Sequence, residues 1–184
     1  MEKEYLKQCI AKEVYGDYSA GELSLIDKFW CRYFRPRSNA VYLIRKYQYH
    51  IGKTKSGGGS RLWHTILSRM YSVKLIRRYS ISVHPDAEIG IGMRIIHPAG
   101  LYITNATIGN NATFFQNCTI GVKQIDDDKK GKAARIGNNL VMYANSMIIG
   151  NINVADDVTI GAYSCLTYDV DESGVYIGIP AKKK

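Results

Sequence analysis

Residues 136–166 read IGNNLVMYANSMIIGNINVADDVTIGAYSCL, and Ile136, Met142, Ile148, Val154, Ile160 and Leu166 stand six residues apart within them. Upstream the same ruler meets Ile96, Tyr102, Ile108, Phe114 and Ile120. A step of six advances an α-helix by about 600°, so the series never keeps to one helical face. Six is also a multiple of two, so every member can point inward from a short strand. A repeat of this length is the mark of a parallel β-helix. Ile-Gly pairs at 89–90, 108–109, 120–121, 136–137, 149–150 and 160–161 punctuate the series, and two of them extend to Ile-Gly-Asn-Asn. Glycine and asparagine tolerate positive φ, which suits the corners of a tightly wound coil.

Sixteen residues separate Ile120 from Ile136, where one hexad needs six. The excess, about ten residues, has to leave the coil, which places a polar protruding loop at about 121–135. Its three aspartates, Asp126, Asp127 and Asp128, lack the glycine-spaced pattern of a calcium loop.

The front of the chain reads differently. Leu23, Ile26, Phe29, Trp30 and Tyr33 make one apolar stripe at helical spacing. Pro36 ends that run, and Ser38 or Asn39 is the expected cap of a second helix holding Val41, Ile44 and Tyr47. Residues 52–59, glycine-rich, read as a loop that lacks P-loop spacing. A further helix carries Leu62, Ile66, Met70 and Val73 and ends near Arg77 and Arg78. Two regions follow: a basic, aromatic-rich α-helical segment over 1–80, and a β-helix over 81–184.

The chain has 184 residues and a formal net charge of +9. Residues 1–80 hold 16 Lys and Arg against 6 Asp and Glu, while residues 81–184 hold 9 against 10. The positive field therefore belongs to the helical segment, together with both tryptophans. Nucleic acid is not the expected partner; a peripheral membrane contact through residues 1–80 fits the Trp, Tyr, Lys and Arg mixture. Cys9, Cys31, Cys118 and Cys165 show no metal-ligand spacing and read as free thiols of a reducing compartment. No apolar run reaches the ~18 residues of a membrane span, and the acidic start is unlike a secretory signal. The expected location is cytoplasmic, with any membrane contact at the inner face.

Four features carry a resemblance to a known family. They are His84-Pro85-Asp86-Ala87-Glu88-Ile89-Gly90, Ile96-His97-Pro98-Ala99-Gly100, the interrupted hexads, and Gly178-Ile179-Pro180-Ala181-Lys182. Residues 80–184 resemble the hexapeptide-repeat acyltransferases, in their serine acetyltransferase-like branch. The resemblance implies a mainly β fold, a left-handed parallel β-helix of nearly four turns that leaves through the GxPAK tail. It implies a homotrimer, acetyl-CoA as acetyl donor, and no metal. His97 takes the place of the general base, since imidazole can accept a hydroxyl proton near neutrality. His84 takes a supporting place. Ala144 and Ala162 mark a low coil wall for the pantetheine arm, and a backbone N–H near Gly121 is the candidate oxyanion donor. Lys182, Lys183 or Arg135 is the candidate partner of the nucleotide phosphates. Transfer is expected to be direct, with Cys118 the rival nucleophile.

Three departures bear on the acceptor. Serine acetyltransferases carry Asp where Ser82 and Ile96 stand here, and an Arg-His pair where Lys132-Ala133-Ala134-Arg135 runs. These losses, with the His-Pro-x-Gly form, point to the related enzymes of polysaccharide biosynthesis and to a sugar hydroxyl of a glycan or its precursor. Serine O-acetylation and a noncatalytic β-helix scaffold are the alternatives. A zinc anhydrase of similar fold would need three histidines, and only His84 and His97 lie in the coil.

Overall fold

The computed structural model describes residues 1–16, 23–57, 60–123 and 134–184. The chain divides into two compact units, Met1–Ser80 and Ile81–Lys184.

The second unit is a three-sided coil of five turns. The first turn holds β1 (Ser82–Val83), β2 (Glu88–Ile89) and β3 (Arg94–Ile95). The second holds β4 (Tyr102–Ile103), β5 (Thr107–Ile108) and β6 (Thr113–Phe114). The third holds β7 (Thr119–Gly121), β8 (Arg135–Ile136) and β9 (Val141–Met142), and the fourth β10 (Met147–Ile149), β11 (Asn153–Val154) and β12 (Val158–Ile160). The fifth holds β13 (Cys165–Leu166), a bridge at Val170, and β14 (Gly174–Gly178), against which β15 (Ala181–Lys183) folds back antiparallel. Face A is β1-β4-β7-β10-β13, face B is β2-β5-β8-β11, and face C is β3-β6-β9-β12-β14 with β15 at its edge. The central loop expected at 121–135 falls largely on residues 124–133, outside the described residues.

Parallel pairing sets like over like. Ile108, Ile136 and Val154 stack on face B, and Phe114, Met142 and Ile160 on face C, all buried. Burying each such side chain contributes about 1.5–3 kcal/mol. Two of the three corners, B to C and C to A, use left-handed backbone, and these positions stack too. Asn111, Asn139 and Asp157 have φ of 60°, 58° and 58° between faces B and C. Their side chains form a ladder: Asn111 Nδ2 donates to Asn139 Oδ1 at 3.0 Å, and Asn139 Nδ2 to Asp157 Oδ1 at 2.9 Å.

Two members of the expected hexad series are out of register. The inward residues of the first two turns are Ile95 and Ile103, both buried, whereas Tyr102 is 56% exposed and Ile96 half-buried. The residue numbers explain it: eight positions separate Ile95 from Ile103, and five separate Ile103 from Ile108. A ruler of six laid back from Ile108 misses each by one, and one residue in a strand reverses the face. Counted on the true register, the coil has five turns.

The first unit is built around α3 (Pro36–Ser56), against which α1 (Lys3–Val14), α2 (Leu25–Tyr33) and α4 (Arg61–Tyr79) pack. Ser24 and Asp27 form a capping box at the start of α2. Neither Ser38 nor Asn39 caps α3: Pro36 occupies its first turn after an extended Arg35, and Asn39 is buried, accepting from Tyr79 Oη at 2.7 Å. Residues 52–56 continue the helix instead of forming a loop, and the turn comes at Gly57, whose φ is 69°. One mid-helix glycine costs only about 1 kcal/mol against Ala, which the packing of α3 outweighs. The buried charge of Arg45 is answered by Glu13, at 2.7 Å from Nε and 2.5 Å from Nη2.

His50 of α3 and His64 of α4 meet Nδ1 to Nδ1 at 2.8 Å, with Tyr71 stacked on the His50 ring and Tyr49 edge-on to it. Burial, then the charges of His64 and Lys46, push the His50 pKa down to about 4. In the unfolded chain His50 takes a proton near pH 6.5, a proton the folded unit refuses. Stability of the helical unit should therefore be flat above that pH and fall by up to about 3 kcal/mol as pH drops from 6.5 toward 4. Urea unfolding followed by helical circular dichroism at about pH 7.5 and about pH 4.5 measures this. His50→Phe should flatten the difference, and an unchanged difference would contradict the origin given.

Candidate active site

The corner between faces C and A departs from the coil's pattern, and the ladder hydrogen bonds show where. Ile96 N donates to Phe114 O at 2.9 Å, and Phe115 N to Met142 O at 2.9 Å, which sets Ile96, Phe115 and Tyr143 in one column. Asn117 N donates to Ala99 O at 2.8 Å, Asn145 N to Gln116 O at 3.0 Å, and Tyr163 N to Ala144 O at 3.0 Å. Ala99, Gln116, Ala144 and Ala162 therefore form the next column. Between the two columns the first turn carries two residues that no later turn has: His97 and Pro98.

That insertion is a tight structure. Ala99 N donates to His97 O at 2.8 Å, closing a three-residue turn around Pro98, whose ring fixes its φ. The turn leaves on Gly100, φ 67°, stacked over Asn117 and Asn145 at 56° and 60°. A Cβ on Gly100 would collide with Asn117 Oδ1. The His97 side chain is exposed, and the edge of its ring meets Phe115 with centroids 6.0 Å apart. Phe115 stacks in turn on Tyr143 at 4.8 Å and 25°. An imidazole thus stands out from the wall at the head of an aromatic pair, beside a column that shrinks to alanine at 144 and 162.

One polar atom at this corner is unsatisfied. Gln116 Oε1 is buried and has no hydrogen-bond partner among the described residues. Leaving such a carbonyl unpaired costs about 1–3 kcal/mol, so it needs an explanation. Sequence reasoning missed Phe115, Tyr143 and Gln116; the available signal was the eight-residue gap, which the hexad ruler concealed.

Other expected site residues lie elsewhere on the prism. His84 follows β1 at the corner between faces A and B, where its Nδ1 accepts from Asp86 N at 3.1 Å. Gly121 ends β7 at that same corner, buried, its carbonyl accepting from Gly150 N at 2.9 Å. Arg135 is exposed at the start of β8 on face B. Lys182 and Lys183 are exposed on β15, and Lys183 Nζ is held by Glu172 at 2.6 Å. Of the expected residues, one chain brings His97, Ala144 and Ala162 to a single corner and spreads the rest. Cys118 points into the coil, fully buried against Ser146 and the Tyr143 carbonyl, and burial pushes its thiol pKa up. A buried thiol of that kind is no nucleophile. Among the described residues no group of three His, Cys, Asp or Glu side chains is placed to hold a metal.

No protein-family model matches the chain. A curated protein of Staphylococcus epidermidis is 36% identical over 117 residues, 62% of this chain and 54% of its own length. One of Staphylococcus aureus is 31% identical over 140 residues, 69% of this chain and 65% of its own. Both are named serine acetyltransferase. The chain is thus similar in sequence to proteins named serine acetyltransferase. It spans roughly half to two thirds of their length. Soybean serine acetyltransferase bound to serine superposes with a TM-score of 0.77 at 20% identity, over 99% of this chain and 70% of the other. The Neisseria gonorrhoeae serine acetyltransferase gives 0.74 at 22%, over 99% and 67%. At that identity the likeness shows the fold, a left-handed parallel β-helix preceded by helices.

These findings correct the expected acceptor. The relatives are named for serine, and none of those cited is named for a sugar or for polysaccharide biosynthesis. The departures at Ser82, Ile96 and Arg135 concern which groups hold an acceptor; they do not define its class. A primary hydroxyl is the same nucleophile whether an amino acid or a sugar presents it.

If Gln116 Oε1 has no partner within the chain, Gln116→Leu should leave stability unchanged or raise it by about 1 kcal/mol, as read by thermal unfolding. A loss of that size or more would show that the amide holds the corner together.

Proposed function

We propose that this chain is an acetyl-CoA-dependent O-acetyltransferase whose acceptor is serine. The observation that carries this reading is the inserted His97-Pro98 pair, which holds an exposed imidazole beside the low column of Ala144 and Ala162. The names of the relatives supply the acceptor and the donor: all of those cited are named for serine, and one structural match is a serine acetyltransferase bound to CoA.

Bound acetyl-CoA supplies a thioester carbonyl open to attack. His97 takes the hydroxyl proton of serine as the C–O bond forms. As the C–S bond breaks, the same imidazolium gives that proton to the departing thiolate. Phe115, packed against His97 and backed by Tyr143, keeps the ring standing away from the wall. Lys182 is the better phosphate partner at its edge, because Lys183 already holds Glu172. Cys118 takes no part.

The working unit in this reading is a homotrimer: within one chain His84, Gly121 and Arg135 lie at a different corner from His97, and a neighbouring copy would bring the two corners together.

Release of free thiol from acetyl-CoA in the presence of serine tests the reading. His97→Ala should lower kcat by roughly 10²-fold or more, the usual cost of a missing general base, while Cys118→Ser should leave it unchanged. Near-normal turnover in His97→Ala refutes the base. Thiol release that ignores serine refutes the acceptor.

A further inference from the structure

The helical unit leaves a large apolar face uncovered. On α4, Leu62, Trp63, Ile66, Met70, Val73 and Ile76 are all exposed, Leu62 by 72%. At 100° per residue they fall within an arc of about 140°. On α2, Leu25 and Ile26 are exposed by 85% and 68%, and Phe29, Trp30 and Phe34 pack on one another in the open. Tyr33 of α2, Tyr42 of α3 and Ile66, Met70 and Val73 of α4 line a groove of about 930 Å³. Monomeric proteins seldom leave an apolar surface this continuous without a use for it.

The charges on the same face say what covers it. Helix α4 carries Arg61, Arg69, Lys74, Arg77 and Arg78 and no acidic residue. Arg69 and Arg77 fall inside the apolar arc at 100° per residue. Arg69, Lys74, Arg77 and Arg78 rim the groove. Among the described residues none of the five is in an ion pair. A second copy presenting the same face is a poor occupant, because both of its helices are net basic: α4 holds five cations and no acid, and α2 holds Lys28 and Arg32 against Asp27 alone. Among the described residues no helix is long and apolar enough to cross a membrane. Tryptophan, aliphatic side chains and cations on one face match the depth profile of a lipid surface, with acyl chains beneath anionic headgroups.

We infer that the face formed by α2 and α4 docks on the surface of an anionic lipid bilayer, burying Leu62, Trp63 and Ile66 while Arg69 and Arg77 meet headgroup phosphates. The site is independent of the transfer chemistry, so its failure would leave the proposed activity standing.

The test uses the full chain carrying Trp30→Phe, so that Trp63 is the single tryptophan, with vesicles of phosphatidylglycerol and phosphatidylcholine or of phosphatidylcholine alone. The protein should sediment with the anionic vesicles and little with the neutral ones. The Trp63 emission should shift to the blue, and added salt should reverse the binding. Arg69→Gln with Arg77→Gln should weaken partition roughly 25-fold, about fivefold for each cation removed. Both positions lie in the groove rim, and a salt titration of the chain with both arginines intact decides the matter if the double variant folds poorly. Absence of vesicle binding overturns the inference. So does binding without an emission shift, and so does capture by RNA in preference to vesicles. Self-association abolished by Leu62→Ser, with vesicles ignored, would assign the face to a second copy.

Discussion

Every inward side chain of the coil sits directly over its counterpart in the next turn, at the roughly 4.8 Å spacing of paired strands. That stacking is the constraint on which the rest depends. It forces each turn to return to the same three faces, so each corner must swing the chain onto the next face within a few residues. Between faces B and C left-handed backbone does this, and Asn111, Asn139 and Asp157 supply it while their side chains bond along the axis. Core and corner are thus one device: Asn111, Asn139 and Asp157 hold the register that sets Phe114, Met142 and Ile160 one over another.

A coil under this constraint accepts extra residues only at its corners. Within a strand, one additional residue would turn the whole inward set to solvent. The chain departs from six at the corner of His97 and Pro98, at the shortened steps from Ile103 to Ile108 and from Leu166 to Val170, and between Ile120 and Ile136. The first is where an exposed imidazole, an aromatic pair and an unpaired amide carbonyl converge. The regular part of the fold supplies stability, and the irregular corner presents side chains that the repeat elsewhere keeps inside.

Much of this was legible in the residues. Nine of the eleven hexad members, Ile108 through Leu166, are inward and buried. His97 stands out in its motif and stands out on the surface. The misreadings have physical causes. Tyr102 and Ile96 look periodic because a two-residue insertion and a one-residue deletion nearly cancel. Residues 52–56 look like a loop because glycine and lysine are read locally, whereas α3 is held by three packed neighbours. The apolar stripes of α2 and α4 announce helices correctly but do not announce that they stay exposed. Gln116 was invisible, since nothing in a sequence says that an amide will be buried without a partner. The acceptor was misjudged from side chains that are missing, and a missing group is weaker evidence than a relative's name.

The central claim is that the inserted corner is where thioester and imidazole meet. A crystal structure of the protein with bound CoA tests it most directly. The account predicts the CoA sulfur beside His97, with the pantetheine arm running down the corner past Gln116, Ala144 and Ala162. A CoA molecule seated on another face, with His97 open to solvent and away from the sulfur, would contradict it.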